Sequence, residues 1–288
     1  MVTQYLTITG VLHPDNRLEL EPGFLVEEPH SAVEARDSQL VAELTDGTGQ
    51  PLLRRRLPHG PPCTDGAAVA VQLVMAKVPF PKGTRAIRFL LDGVLVHTLD
   101  VPRTGPSVQL AWDPSQGTDS EQQVAWQGEH REGRPLWYLL SYSADDGRTW
   151  QPLSLPTTET EHPVDFRRLA GGSTCRIRVL ATDGVNTTAA VSEPFERPTQ
   201  PCYAMILAPE HDVTVGRDQP VRFQGQGYYL EERRGEVELL DWTSSVDGPL
   251  GRGAVVEVVG LAPGMHEITL TAGSEGRTGV ASLTLRVD

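Results

Sequence analysis

Six Asp-Gly dipeptides, at 46, 65, 92, 146, 183 and 247, punctuate this 288-residue chain, and most separate runs in which apolar and polar residues alternate. Alternation of period two puts every second side chain on one face of a strand. Asp-Gly suits a two-residue hairpin turn, because Gly meets the demand for positive φ without strain and Asp tolerates it. In "AIRFLLDGVLVHTLDV", Ile87, Phe89 and Leu91 share a face, Asp92-Gly93 turns the chain, and Val94 and Val96 continue it. The nearest approach to a helix, "EEPHSAVEARDSQLVAEL", contains a proline and no clean apolar stripe. The pattern predicts an all-β chain.

Hydrophobic residues are 39% and charged residues 22%, a balance that supports packed cores, while 28 Gly and 23 Pro without a period suit many turns. Proline-rich stretches, "DVPRTGPSV" at 100–108 and "FERPTQPCYAMILAPEHD" at 195–212, separate segments 1–104, 105–198 and 199–288. Each has the size of one β-sandwich. Three consecutive sandwiches in an elongated arrangement are expected.

The net charge of −13 is spread along the chain and repels phosphate backbones and anionic lipid, so nucleic acid is not an expected partner. No apolar run approaches the roughly 18 residues of a membrane span, so no membrane insertion is expected. The opening "MVTQYLTITG" reads as a strand and lacks the basic and apolar regions of a leader. Cys63, Cys175 and Cys202 have no framework spacing and read as buried or free thiols. Eight scattered histidines include no H-E-x-x-H, and no C-x-x-C is present, so no metal site is expected. His266 reads as a strand packing residue. No G-x-S-x-G, Walker or G-x-G-x-x-G motif occurs, and no catalytic residue or cofactor is expected.

The middle stretch "LAGGSTCRIRVLATDGVNTTAAVSEPF" resembles the E-F-G end of a fibronectin type III domain through Leu169, Gly172 and the alternating Ile177, Val179 and Ala181. Cys175 stands where that family carries its corner tyrosine, which implies that the clamping hydrogen bond is missing. In the last segment, W-x-S-S-x-D-G-x-L-G-x-G (Trp242 to Gly253) and L-x-P-G (Leu261 to Gly264) resemble PKD-like bacterial immunoglobulin domains. "VPFPKGTRAIRFLLDGVLVHTLDVP" in the first segment resembles another immunoglobulin-like sandwich. Such tandems are similar to C-terminal accessory regions of bacterial extracellular proteins, including secreted metallopeptidases. The resemblance implies three immunoglobulin-like β-sandwich domains, a non-catalytic binding or scaffolding role, and a protein partner or a larger parent polypeptide. It also implies an extracellular or cell-surface place, whereas the unpaired cysteines and the missing leader fit a cytoplasmic one. PKD-like domains often bind calcium in an Asp-rich loop, but the corresponding "GQGYYLEERRGEVELLDW" offers Glu231 and Glu232 beside Arg233 and Arg234, so calcium is not favoured.

"SYSADDGRTW" matches the Asp-box of sialidase propellers at Ser143, Asp145, Gly147, Thr149 and Trp150. A sialidase needs several such blades and clustered arginines, and this chain has one full match. The expectation is a structural hairpin: Ser and Asp bond turn N–H groups, Gly takes the left-handed position, and Trp150 packs beneath. Four of five tryptophans fall in the middle segment. Trp126 and Trp137 read as core residues, and Trp112 and Trp150 as candidates for an exposed indole that anchors a protein or stacks on a glycan. A Trp-rich core explains the same count. Tyr228, Tyr229, Arg233 and Arg234 form a second candidate surface with the composition of an interface hot spot. Protein binding leads, carbohydrate binding is the alternative, and a hydrolase with an interdomain site ranks last.

Overall fold

The computed structural model describes the chain except residues 1–2, 29–34, 36, 61–70, 117, 119, 200, 231–236, 238 and 275, and the side chains of 3, 28 and 116. The alternating runs become β1 (Thr3–Leu12), β2 (Leu18–Leu20), β3 (Leu25–Glu28), β4 (Leu40–Thr45), β5 (Pro51–Arg56), β6 (Gln72–Pro79), β7 (Ala86–Leu91) and β8 (Val94–Asp100). β2 and β3 follow one edge of β1, with Gly10 opposite Leu20 and Leu6 opposite Leu25, and are interrupted around Pro22-Gly23. β6 lies along the other edge of β1. The first strand is therefore central, a place the second strand holds in an immunoglobulin sheet. A sheet of order β5-β4-β7-β8 accompanies it, and Leu6, Ile8, Leu40, Leu44, Val74, Ile87 and Phe89 form a core drawn from both sheets.

The next strands are β9 (Ser107–Leu110), β10 (Glu121–Glu129), β11 (Trp137–Ser143), β12 (Gln151–Pro152), β13 (Glu161–Asp165), β14 (Gly172–Thr182), β15 (Thr187–Val191) and β16 (Phe195–Arg197). Sheets of order β13-β10-β9 and β12-β11-β14-β15 enclose Val124, Trp126, Leu140, Phe166, Ile177 and Val179. Here the second strand is central, as in an immunoglobulin-type sheet.

β17 (Tyr203–Ala208), β18 (Val213–Val215), β19 (Val221–Tyr228), β20 (Leu240–Ser244), β21 (Gly248–Arg252), β22 (Val255–Val258), β23 (Gly264–Ala272) and β24 (Gly279–Val287) complete the chain. Their sheets, β17-β19-β22 and β18-β24-β23-β20-β21, share a core of Phe223, Trp242, Ile268, Leu270 and Leu285. Each large apolar side chain buried in such a core contributes about 1.5–3 kcal/mol. The chain is thus all-β, a tandem of immunoglobulin- and fibronectin III-like β-sandwich modules, with buried apolar residues in three clusters.

Five of the six Asp-Gly turns lie within the described residues; that at 65 does not. Two place both residues at positive φ, Asp92-Gly93 (51° and 80°) and Asp146-Gly147 (60° and 80°), as a type I′ turn requires. Elsewhere a wider loop wins. Asp46 Oδ1 accepts the N–H groups of Thr48 and Gln50 at 2.8 and 2.9 Å, and the left-handed position passes to Gly49. Asp183 likewise accepts from Val185 and Asn186 at 3.0 and 2.8 Å.

That Asp183 loop ties the first two cores together. Thr182 Oγ1 donates to Gly23 O at 2.6 Å, Gly23 N to Gly184 O at 3.1 Å, and Leu25 N to Thr187 Oγ1 at 2.8 Å. Asn186 Nδ2 donates to Pro102 O at 3.2 Å, and within the middle segment Thr188 Oγ1 donates to Pro106 O at 2.7 Å. Val185, from the middle segment, is buried in the first core. The side chains of His130 and Asp183 are fully buried 3.3 Å apart. His130 Nδ1 accepts the Glu132 N–H at 3.1 Å, which puts the proton of a neutral ring on Nε2, 3.1 Å from Thr104 O.

Candidate functional site

The Asp-box hairpin joins β11 to β12. Ser143 Oγ accepts from the backbone of Asp145 at 3.2 Å and Gly147 at 2.8 Å, and donates to Asp145 Oδ1 at 2.8 Å. Asp145 accepts from Thr149 N at 2.8 Å and from Thr149 Oγ1 at 2.7 Å. The side chains of Ser143, Asp145 and Thr149 are thereby spent on holding the turn. Gly147, at φ 80°, lies against the Trp150 ring, and a Cβ there would stand 3.1 Å from the indole. The Arg178 guanidinium covers a face of that ring, 4.1 Å from its centroid. Burial lowers the Arg178 pKa, and among the described residues its Nε has no hydrogen-bond partner.

Beside the hairpin is a cleft of about 590 Å³ lined by Tyr142, Asp145, Thr149, Trp150, Gln151, Gly171 and Leu230. Two surfaces separate in the sequence meet here: the Trp150 hairpin and the end of the "YYL" run. The volume lies in the range of ligand pockets.

Tyr142 also corrects an expectation. The corner tyrosine is replaced by Cys175, but the clamp is present. Tyr142 Oη, reaching from β11, donates to Ala170 O at 2.5 Å, and Arg197 Nη1 donates to Leu169 O at 2.9 Å and Ala170 O at 3.3 Å. Cys175 is buried and donates to Gly172 O at 3.3 Å, and burial pushes its thiol pKa up. A neighbouring strand thus supplies the hydroxyl.

Trp112 and Trp137 sit differently from expectation. Trp112 stacks on Phe166 (5.4 Å, 9°), meets Phe195 edge-on at 5.4 Å, and donates from Nε1 to Gln122 Oε1 at 3.1 Å. Trp137, read as core, is half-buried outside the cluster. The parity of β11 explains it: Tyr138, Leu140 and Tyr142 point inward, so Trp137 points out. Trp126 is buried in the core.

Tyr228 stacks on Tyr203 at 5.4 Å. Tyr229 lies under Arg277, 4.2 Å from ring centroid to guanidinium, and its hydroxyl accepts from Ser274 N at 2.9 Å. Arg233 and Arg234, with Glu231 and Glu232, lie outside the described residues, as does Cys63. Cys202 is buried, and its thiol donates to Tyr203 O at 3.6 Å. His266 is buried, 2.8 Å from Ser244 Oγ and 2.7 Å from Ala262 O. Among the described residues no three His, Cys, Asp or Glu side chains gather at metal-binding distance, and no helix is long and apolar enough to cross a membrane.

No family model and no curated protein matches the chain. Among solved structures it is similar to the fibronectin(III)-like modules of Clostridium thermocellum CbhA, at 13% identity and a TM-score of 0.27, covering 59% of this chain and 87% of that one. It is similar to the three N-terminal domains of the bacteriophage RB49 Hoc capsid protein, at 14% identity and a TM-score of 0.27, covering 59% and 55%. It is also similar to the N-terminal four Ig domains of Dscam1 isoform 4.4, at 12% identity and a TM-score of 0.24, covering 97% and 70%. Likeness at this level concerns fold alone.

Proposed function

We propose that this chain is a non-catalytic binding and positioning module of three immunoglobulin-like domains, 1–104, 105–198 and 199–288, in an elongated arrangement. Its setting is the accessory region of a larger bacterial extracellular or surface protein, and its partner is protein. Sandwich modules of this class typically serve binding or scaffolding. The observation that carries the reading is the joint between the first two cores: Thr182, Asn186 and Thr187 bond across it, and Val185 is buried in the neighbouring core. A flexible linker orders none of these groups, whereas a spacer that sets one domain's position relative to another needs them fixed. Glycan recognition would use free indole faces, and Trp112 and Trp150 each have a face occupied, by Phe166 and Arg178.

Small-angle scattering of the intact chain tests the reading. A single extended rigid shape, unchanged between low and moderate salt, is expected. A profile that fits only an ensemble of interdomain angles at the first joint would refute it.

A further inference from the structure

A second cleft, of about 570 Å³, opens where the first sheets meet the middle segment. Its walls come from β2 and the residues after it (Leu20, Glu21, Pro22), from β8 (His97, Leu99) and from β11 (Trp137). β8 ends its sheet, and among the described residues β2 pairs with β1 alone. Two strand edges therefore flank the opening, the places where an added extended segment finds backbone partners. The Asp183-Gly184 turn closes one end, and the hydrogen bonds from Thr182 and Gly23 keep that end fixed.

The charges in the cleft have one sign. Among the described residues no Lys or Arg lines it. Two cations next in sequence to lining residues are paired: Arg17 with Glu19, and Arg134, 3.9 Å from Glu132. Glu19 also meets His13 at 3.1 Å, and the Asp183 carboxylate accepts from Val185 N, Asn186 N and Asn186 Nδ2, so both carboxylates are bonded within the chain. Glu21 is exposed, lines the cleft and has no ion-pair partner among the described residues. Trp137 adds an outward indole, and Leu20, Leu99 and Pro22 add apolar wall. A carboxylate, an indole and an aliphatic wall complement a long cationic side chain. Its stem lies on the apolar wall while its head meets the aromatic face and the carboxylate.

We propose that this cleft is a receptor for an arginine or lysine presented on an extended segment of a partner polypeptide, with arginine preferred because its planar head stacks as well as pairs. The net charge of −13 favours the approach of such a segment at long range.

The test uses the intact chain and dye-labelled nonapeptides of alternating Val and Thr whose central residue is Arg, Lys, citrulline or Glu, read by fluorescence anisotropy. Arg should bind tighter than Lys, with citrulline at least about fivefold weaker than Arg and Glu not saturating. Glu21→Gln, an exposed change that leaves the fold alone, should weaken the Arg peptide about threefold to tenfold in low salt, the difference closing in high salt. Trp137→Ala should weaken it about tenfold, with Trp137→Phe intermediate. Equal affinity of the Arg and citrulline peptides, or Arg binding unaffected by Glu21→Gln and Trp137→Ala alike, would overturn the assignment. So would a neutral oligosaccharide binding through Trp137 where the Arg peptide does not. None of these outcomes bears on rigidity, which scattering reads separately.

Discussion

Replacing Tyr142 with Phe removes one oxygen from the corner of the middle core, and the structure limits what that costs. The hydroxyl is buried and donates to Ala170 O, but that carbonyl keeps a second donor, Arg197 Nη1 at 3.3 Å. The loss is therefore that of one hydrogen bond rather than of an orphaned buried carbonyl, about 1 kcal/mol. For a unit of this size that lowers the melting temperature by roughly 4–8 °C. Chemical denaturation followed by tryptophan fluorescence is the assay, because Trp112, Trp126, Trp137 and Trp150 all report on this segment. Arg197→Lys shares the acceptor, so the double variant should be non-additive by about 0.5 kcal/mol or more. Alkaline pH supplies an independent reading. Burial pushes the Tyr142 phenol well above its ordinary value, Cys175 adds to the shift, and Arg197 opposes it. A raised pKa means that folding favours the protonated form, so this stabilisation is complete below the unfolded value near pH 10 and is lost as pH climbs toward the folded one. Above about pH 10 the wild type loses roughly 1.4 kcal/mol per pH unit through this group and the variant does not. The gap of about 1 kcal/mol at neutral pH should thus close near pH 11. No measurable gap at neutral pH, or one constant across that range, would refute the clamp.

Thr182→Val leaves Gly23 O without its 2.6 Å donor and should cost about 1–3 kcal/mol, seen in calorimetry as separation of the first and middle transitions. Asp145→Ala removes the acceptor of two Thr149 hydrogen bonds and should destabilise the hairpin by about 1–2 kcal/mol, with faster proteolysis between Ser143 and Trp150. In Gly225→Ala the new methyl would stand 2.5 Å from Leu270 Cδ2 and 2.8 Å from the Trp242 ring; a loss of about 1–3 kcal/mol, read by Trp242 fluorescence, is expected.

Local patterns were legible wherever one strand decides the outcome. Ile87 and Phe89 are buried as their alternation requires, and the spacing of Ser143, Asp145, Gly147 and Thr149 carries its own hydrogen bonds. What failed depends on a second strand. In "LWYLLSY" nearly every residue can be buried, so the run does not say whether Trp137 or Tyr138 points inward; the pairing of β11 with β14 decides it. Trp112 follows a strand end, where exposure is the ordinary outcome, and it is held down by Phe166 and Phe195, both distant in sequence. The corner followed the same rule, because Cys175 was read against its own strand while the hydroxyl came from β11. The cleft around Glu21 and Trp137 needs three strands and a turn at once, so no single window of sequence shows it.

Proline-rich stretches mark the joints, yet it is backbone approach that ties neighbouring segments there. At Gly171 a Cβ would fall 2.1 Å from Pro198 O and 2.6 Å from Thr199 Cα. At Gly23 a Cβ would meet Gly184 O at 2.9 Å. At these two positions only hydrogen fits, so neighbouring backbone can come close enough to bond or pack across the boundary. Proline restrains its own φ and cannot set the angle between two cores, whereas these contacts join a residue of one segment to the backbone of the next. Composition thus marks where the sequence changes character, while cooperativity follows the contacts. Val185, carried by the middle segment, is buried in the first core, so the first two cores share the loop that holds them together.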